Sequence, residues 1–246
     1  MLVDTNGAIV RETLGLMFRA HPWHGIPIGP EAPEVVNVYV EIVPTDTVKY
    51  ELDKETGILK VDRPQKYSNI CPTLYGFIPQ TLCAEQVAER TIMRTGPADV
   101  IGDDDPLDIC VLTEKHFTHG DFLLHAIPIG GFRMLDGNEA DDKIIAVMEQ
   151  DAVYGGWNDL KSVPVNTIER LRHYFLTYKD APGGKQRAEI THVYGRAEAH
   201  DIIRRSQVDY RARFGLPEER LAQVIAREPA PPTIVADPFE PLATLS

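Results

Sequence analysis

From Val35 onward the chain alternates. Val36, Val38, Val40 and Ile42 fall on one side of an extended segment, with Asn37, Tyr39 and Glu41 on the other, which is the two-residue period of a strand. A turn at PTDT leads to a second run, in which Val48, Tyr50 and Leu52 oppose Lys49, Glu51 and Asp53. KETG reads as a hairpin turn and ILKVDR as the returning strand. DICVL, FLLHAIPIG and KIIAVM add further runs of strand length. The period then lengthens. Within VNTIERLRHYFLTYK, Ile168, Leu171, Phe175 and Tyr178 recur at helical steps and form an apolar stripe. Helices are also expected over 6–19, along Val10, Leu14, Met17 and Phe18, and over about 197–214, stopped by Gly215. Pro217 opens a short third one in the C-terminal part.

The stretch HPWHGIPIGPEAP, rich in Pro and Gly, is a loop, and the tail EPAPPTIVADPFEPLATLS is an extended arm or disordered. Short strands followed by helices predict an α+β fold around a small closed barrel. The expected division is an extension over 1–34, a barrel domain with helices over 35–215, and a short helix with a proline-rich tail over 216–246.

Composition narrows the function. The chain has 246 residues, 43% of them hydrophobic, enough for one domain with a real core. Its formal net charge of −12 argues against a nucleic-acid binder or an anionic membrane surface, both of which need clustered Lys and Arg. Cys71, Cys83 and Cys110 are odd in number and lack CxxC spacing, so neither a disulfide framework nor structural zinc is expected. Asp4, Arg11 and Glu12 interrupt the N-terminal apolar residues, and no run reaches membrane-spanning length. A cytoplasmic setting is expected.

The chemistry concentrates in GDDDPLDICVL, where Asp103, Asp105 and Asp108 form D-x-D-x-x-D against a strand. Such density is costly unless water or cations screen it, and a solvated loop is the plain alternative. Pro106 stiffens the loop, and apolar Leu107, Ile109 and Val111 put Asp108 on the opposite face. An EF-hand fits poorly, because Leu107 occupies a ligand position and Asp108 the place of the obligatory Gly. A second cluster, Asp136, Asp141 and Asp142, precedes Lys143 and another strand. Oxygen-only ligands favour Mg²⁺ or Mn²⁺. Lys49, Glu51, Arg63, Tyr178 and Lys179 could meet phosphate, though each also reads as a surface charge or helix-terminal group. The pairs His21/His24 and His116/His119, and His173 on its helix, read as structural, packed or exposed.

Together these residues resemble the soluble family I inorganic pyrophosphatases from about Glu34 to Ile203. VEIV, VKYELDKETG, VDR, PTLYG, DDDPLDICVL, LDGNEADDK, HYFLTYK and AEAH occur in the family's order and spacing. The resemblance implies a five-stranded, OB-like barrel with flanking helices and hydrolysis of pyrophosphate to two orthophosphates with Mg²⁺. It implies that Asp103, Asp108 and Asp141 hold two ions sharing a nucleophilic water, with Asp105 as its general base. Asp136, Asp141 and Glu41 would serve ions arriving with substrate. Lys49, Arg63, Tyr75, Lys143, Tyr178 and Lys179 would grip phosphate oxygens, with Glu51 in support. A homo-oligomer of open subunit number is expected, with no nucleic-acid or membrane partner.

Three positions depart from the family's pattern: Cys71 stands for a frequent Tyr, Asp104 for the usual Gly, and Gly137 for a frequent Glu. The insert between Tyr75 and Asp103, with Val87, Ala88 and Ile92 at helical spacing, reads as a surface excursion, with a lid or subunit contact as the alternative. Two rival functions share the metal chemistry: hydrolysis of another phosphoanhydride such as polyphosphate, and a non-catalytic metal-binding barrel used for assembly.

Overall fold

The computed structural model describes residues 19–66, 68–179, 188–216 and 219. The helix expected over 6–19 lies outside them but for Arg19, as do the one after Pro217, but for Glu219, and the proline-rich tail.

Five strands close a ring. β1 (Val36–Ile42) pairs with β4 (Leu74–Phe77), β4 with β6 (Asp108–Leu112), β6 with β9 (Lys143–Met148), β9 with β7 (Phe122–Asp136), and β7 returns to β1. All contacts are antiparallel except β6–β9. β2 (Val48–Leu52) and β3 (Leu59–Pro64) form the expected hairpin as a separate two-stranded sheet. The far half of β7 carries β10 (Ala188–Gly195) and β8 (Glu139–Ala140), and β8 pairs with β5 (Ile101–Gly102). Among the described residues three α-helices flank the ring: α1 (Glu85–Thr95), α2 (Val165–Thr177) and α3 (Arg196–Phe214). The α+β barrel is as expected.

The ring strands are buried on both faces, which explains their continuous apolar runs. In β6, Ile109 and Val111 join a core shared with α1 and α3, while Cys110 and Leu112 join one shared with α2. Asp108, at the start of this strand, escapes both. Gly76 lets β4 approach β1: a Cβ there would stand 1.9 Å from the Tyr39 carbonyl oxygen.

The alternation in β1 needs two corrections. Its expected polar face is buried, with Tyr39 at 1% and Glu41 at 6% exposure. Tyr39 packs with Trp23, Phe77 and Tyr210 in a third apolar cluster. Val36, Val38 and Val40 share one core, but Ile42 lies in another, because the register with β4 shifts between Val40 and Ile42. In β2 only Leu52 is fully buried, and Tyr50 is a half-buried ring against the α2 core.

The insert is no inert excursion. Its helix α1 buries Val87, Ala88 and Thr91. Asp209 of α3, 2% exposed, accepts the Ala84, Gln86 and Val87 N–H groups at 2.9–3.2 Å, satisfying the donors that open a helix. The histidines are structural or exposed. His21 meets the Lys54 carbonyl at 3.2 Å, and His24 meets the Tyr210 hydroxyl at 2.8 Å. His116 and His119 lie in solvent, as does His173, which is exposed rather than packed. Among the described residues no helix is long and apolar enough to cross a membrane.

Candidate active site

One cleft of about 320 Å³ opens at an end of the barrel beside the β2–β3 hairpin, within the range of small-molecule sites, about 300–1,000 Å³. Strand register assembles it. The parallel β6–β9 pairing sets Asp108 directly against Lys143. The Tyr75 hydroxyl of β4 donates to Asp108 at 2.5 Å, and the Lys143 ammonium bridges Asp108 and Asp141. Lys49 and Glu51, two apart on β2, share a face and meet at 3.1 Å. Tyr178 and Lys179 follow the last turn of α2, and Lys179 pairs with Asp136. The Arg63 guanidinium lies 5.9 Å from the Tyr178 ring centroid.

All thirteen site residues expected from the sequence line this cleft: Glu41, Lys49, Glu51, Arg63, Tyr75, Asp103, Asp105, Asp108, Asp136, Asp141, Lys143, Tyr178 and Lys179. Seven further described residues line it, and among them the charged Lys54, Asp62 and Glu139 and the indole of Trp23 were missed. Lys54 sits in the turn read only as a hairpin signal, yet its ammonium pairs with Asp105. Asp62 alternates away from Arg63 in an ideal strand. The register shift opposite Lys49 and Tyr50 brings it round to bind Lys49 at 3.1 Å and Arg63 at 2.5 Å. Trp23 and Glu139 line it too, beside the apolar Leu52, Phe77 and Pro106; Trp23 stands in the Pro/Gly-rich loop, and Glu139 sits within LDGNEADDK but was not singled out there.

The electrostatics are strained in one direction. Among the described residues nine carboxylates (Glu41, Glu51, Asp62, Asp103, Asp105, Asp108, Asp136, Glu139, Asp141) face five cations (Lys49, Lys54, Arg63, Lys143, Lys179), nine less five leaving a formal excess of four negative charges. Burial, reinforced by the Asp141 charge, pushes the Asp103 carboxyl up to about 9. Burial likewise pushes Glu41 up to about 8, although the Leu52 N–H donates to it at 2.6 Å. Burial works to lower the Lys143 ammonium, but the charges of Asp108 and Asp141 hold it well above the usual lysine range.

Among the described residues no three acidic, His or Cys side chains already converge as a metal cage; Lys143 stands between two of the carboxylates instead. The donor chemistry nevertheless fits a hard divalent cation. The acidic lining offers oxygen and, among the described residues, contains no His or Cys, and none of the described ion pairs reaches Asp103. The departures do not disturb the lining. Asp104 adopts φ 58°, which accounts for the family's Gly, and turns outward to Arg213 at 3.0 Å. Gly137 forms the turn between β7 and β8. Cys71 is a fully buried thiol in the α2 core.

A closed barrel presenting an acid-rich, lysine- and tyrosine-edged cleft is the class of site that suits an enzyme acting on a small, highly charged substrate with the help of cations. Comparison with known proteins makes the class specific. Residues 38–211 match the family model described as inorganic pyrophosphatase. The inorganic pyrophosphatase of Chlamydia trachomatis serovar L2 is 52% identical over 196 residues, covering 78% of this chain and 94% of that protein. The Chlamydia caviae inorganic pyrophosphatase is 49% identical, covering 79% and 92%. The crystal structure of the Thermus thermophilus inorganic pyrophosphatase superposes with a TM-score of 0.65 at 30% identity, covering 78% of this chain and 99% of that one. The chain belongs to the inorganic pyrophosphatase family, and its reaction is the hydrolysis of pyrophosphate.

Proposed function

We propose that the cleft performs this hydrolysis with Mg²⁺ as cofactor and Asp105 as the general base. Asp103, Asp108 and Asp141 would hold two ions, and Asp136, Asp141 and Glu41 those that accompany substrate. When bound, the ions neutralise phosphate oxygens and acidify the attacking water. Asp105 accepts that water's proton. Its carboxylate is solvent-reached, 41% exposed, and its own backbone N–H is tied to Asp103 at 3.0 Å, so the loop fixes where the carboxylate stands. Lys49, Arg63, Lys143 and Lys179, with the Tyr75 and Tyr178 hydroxyls, meet the oxygens of the two phosphoryl groups. Their charge is most useful in the transition state, where it spreads over the transferring group and the leaving phosphate. Glu51 holds Lys49 in place. No covalent intermediate is required, because the attacking water is itself the nucleophile; among the described residues no Ser or Cys lines the cleft.

The observation that carries this reading is the formal excess of four acidic over basic side chains among the described lining residues, in a cleft whose substrate is itself a polyanion. Divalent cations reconcile the two. Calorimetric titration of the substrate-free protein with Mg²⁺ tests it. Wild type binds the ion, and Asp103→Asn and Asp141→Asn bind it much more weakly. Equal binding by all three proteins would remove these side chains from the metal set.

A further inference from the structure

Asp141 and Asp142 form the two-residue link between β8 and β9. Asp141 and Lys143 line the cleft, whereas Asp142 turns to the opposite side and is 1% exposed. There its carboxylate accepts from Arg133 of β7 at 3.3 Å and from the Tyr194 hydroxyl at 3.0 Å. Arg133 is also 1% exposed, and its guanidinium lies 5.3 Å from the Tyr194 ring centroid. It donates in addition to Glu198, in the first turn of α3, at 3.0 Å. Glu198 in turn accepts from Arg90 of α1 at 2.9 and 2.5 Å and from Arg94 at 3.2 Å. A continuous charged chain thus runs from the insert helix, through α3 and β7, to the residue between two cleft side chains.

As a source of stability this chain is poor. Taking charges out of water costs so much that apolar residues of similar volume do as well or better, and here Arg133 Nε and Asp142 Oδ1 lack hydrogen-bond partners. What directional hydrogen bonds supply and apolar packing does not is a fixed orientation. The link that needs fixing is short. The Asp141 N–H is bonded to the Met134 carbonyl at 2.9 Å, and the Lys143 ammonium ties the cleft side to Asp108; on the side away from the cleft the Asp142 side chain is the link's anchor.

We infer that Asp142 and Arg133 are positioning residues for pyrophosphate hydrolysis, holding the Asp141–Lys143 corner against the cleft and tying its geometry to α1 and α3. The inference rests on the proposed roles of Asp141 toward the ions and Lys143 toward phosphate. Outer-shell groups of this kind orient ligands, and their loss typically costs about 10–100-fold in metal affinity or activity.

The test replaces the charges without opening a hole, in the triple variant Arg133→Met, Asp142→Leu, Tyr194→Phe. Three quantities are measured: the urea midpoint, Mn²⁺ binding to the substrate-free protein by calorimetry, and the Mg²⁺ dependence of turnover. The expected result is a urea midpoint near wild type, with Mn²⁺ affinity and the Mg²⁺ requirement both weakened about 10–100-fold. A folded triple variant with wild-type Mn²⁺ affinity and Mg²⁺ dependence overturns the inference. Should the triple variant not fold, Arg133→Met decides: it removes the donor shared by Asp142 and Glu198 and leaves the Tyr194 bond to Asp142 in place, and weakened Mn²⁺ binding supports the inference while unchanged binding overturns it. Asp141→Asn is measured alongside. If it weakens Mn²⁺ binding and the Asp142 and Arg133 variants do not, the positioning role alone fails. If it leaves binding unchanged, the reading of the cleft fails and the inference with it.

Discussion

Asp105→Asn separates chemistry from structure. The substitution keeps the side chain's size and removes its ability to take a proton. Its structural cost is small by construction. The carboxylate is 41% exposed and its partner Lys54 45% exposed, and exposed ion pairs contribute about 0–1 kcal/mol. The bond that orders the loop, from the Asp105 N–H to Asp103, involves the backbone and survives. The catalytic cost is large: general-base contributions are on the order of 10²–10⁴-fold, equivalent to about 2.7–5.4 kcal/mol of barrier at 1.36 kcal/mol per tenfold. Turnover of pyrophosphate at saturating Mg²⁺ and neutral pH, measured beside the urea midpoint, should show the first falling while the second barely moves. Near-full turnover would refute the assignment of Asp105. A parallel fall of stability and turnover would refute the claim that this side chain is free of structural duty.

Three further outcomes are expected. Lys49→Ala weakens turnover with little effect on the urea midpoint, whereas Tyr50→Ala does the reverse. Because the Tyr50 ring is only half-buried, its cost is about 1–3 kcal/mol, below the ~3–5 of a buried aromatic; an unstable Lys49→Ala beside a stable, inactive Tyr50→Ala would mean the β2 register is reversed. Gly76→Ala puts a methyl 1.9 Å from the Tyr39 carbonyl oxygen and should cost more than about 3 kcal/mol in urea unfolding, so an unchanged midpoint would contradict the close β1–β4 approach. The last outcome concerns acid. Burial works to raise the Glu198 carboxyl, but hydrogen bonds from Arg90 and Arg133 outweigh it and hold it down at about 2. Its stabilisation is therefore complete above the ordinary glutamate range and lost as pH falls toward 2. Glu198→Gln should flatten the decline of the urea midpoint between about pH 5 and 2, and an equally steep decline would show that Glu198 is not its source.

The hairpin was legible from its turn and the alternation of β2, strands β6 and β9 from short continuous apolar runs, and α2 and α3 from helical spacing and the Gly215 stop. The elements that were not legible break such patterns. β10 alternates poorly because its pairing with β7 shifts between Ile190 and His192, leaving Val193 exposed and Tyr194 buried. β7 reads as ending at Gly130–Gly131, a turn signal. It continues to Asp136, because those glycines admit β10 instead: a Cβ on Gly130 would stand 2.4 Å from the Tyr194 carbonyl oxygen. β4 is four residues long and buried throughout, too short to show any period. The same contrast governs the site. Asp103, Asp105 and Asp108 announce themselves by density, whereas Asp62 reaches the cleft through a bulge and Lys54 from a turn. Asp142 was counted with the acids of its cluster, yet a single step along the chain carries it to the far side of the wall.

The account stands most directly on the release of orthophosphate from pyrophosphate by the purified protein, with Mg²⁺ and then with excess chelator after dialysis. It predicts rapid release with Mg²⁺, loss of that activity in chelator, and recovery when Mg²⁺ is restored. Undiminished release in chelator, or none with Mg²⁺ present, would contradict it.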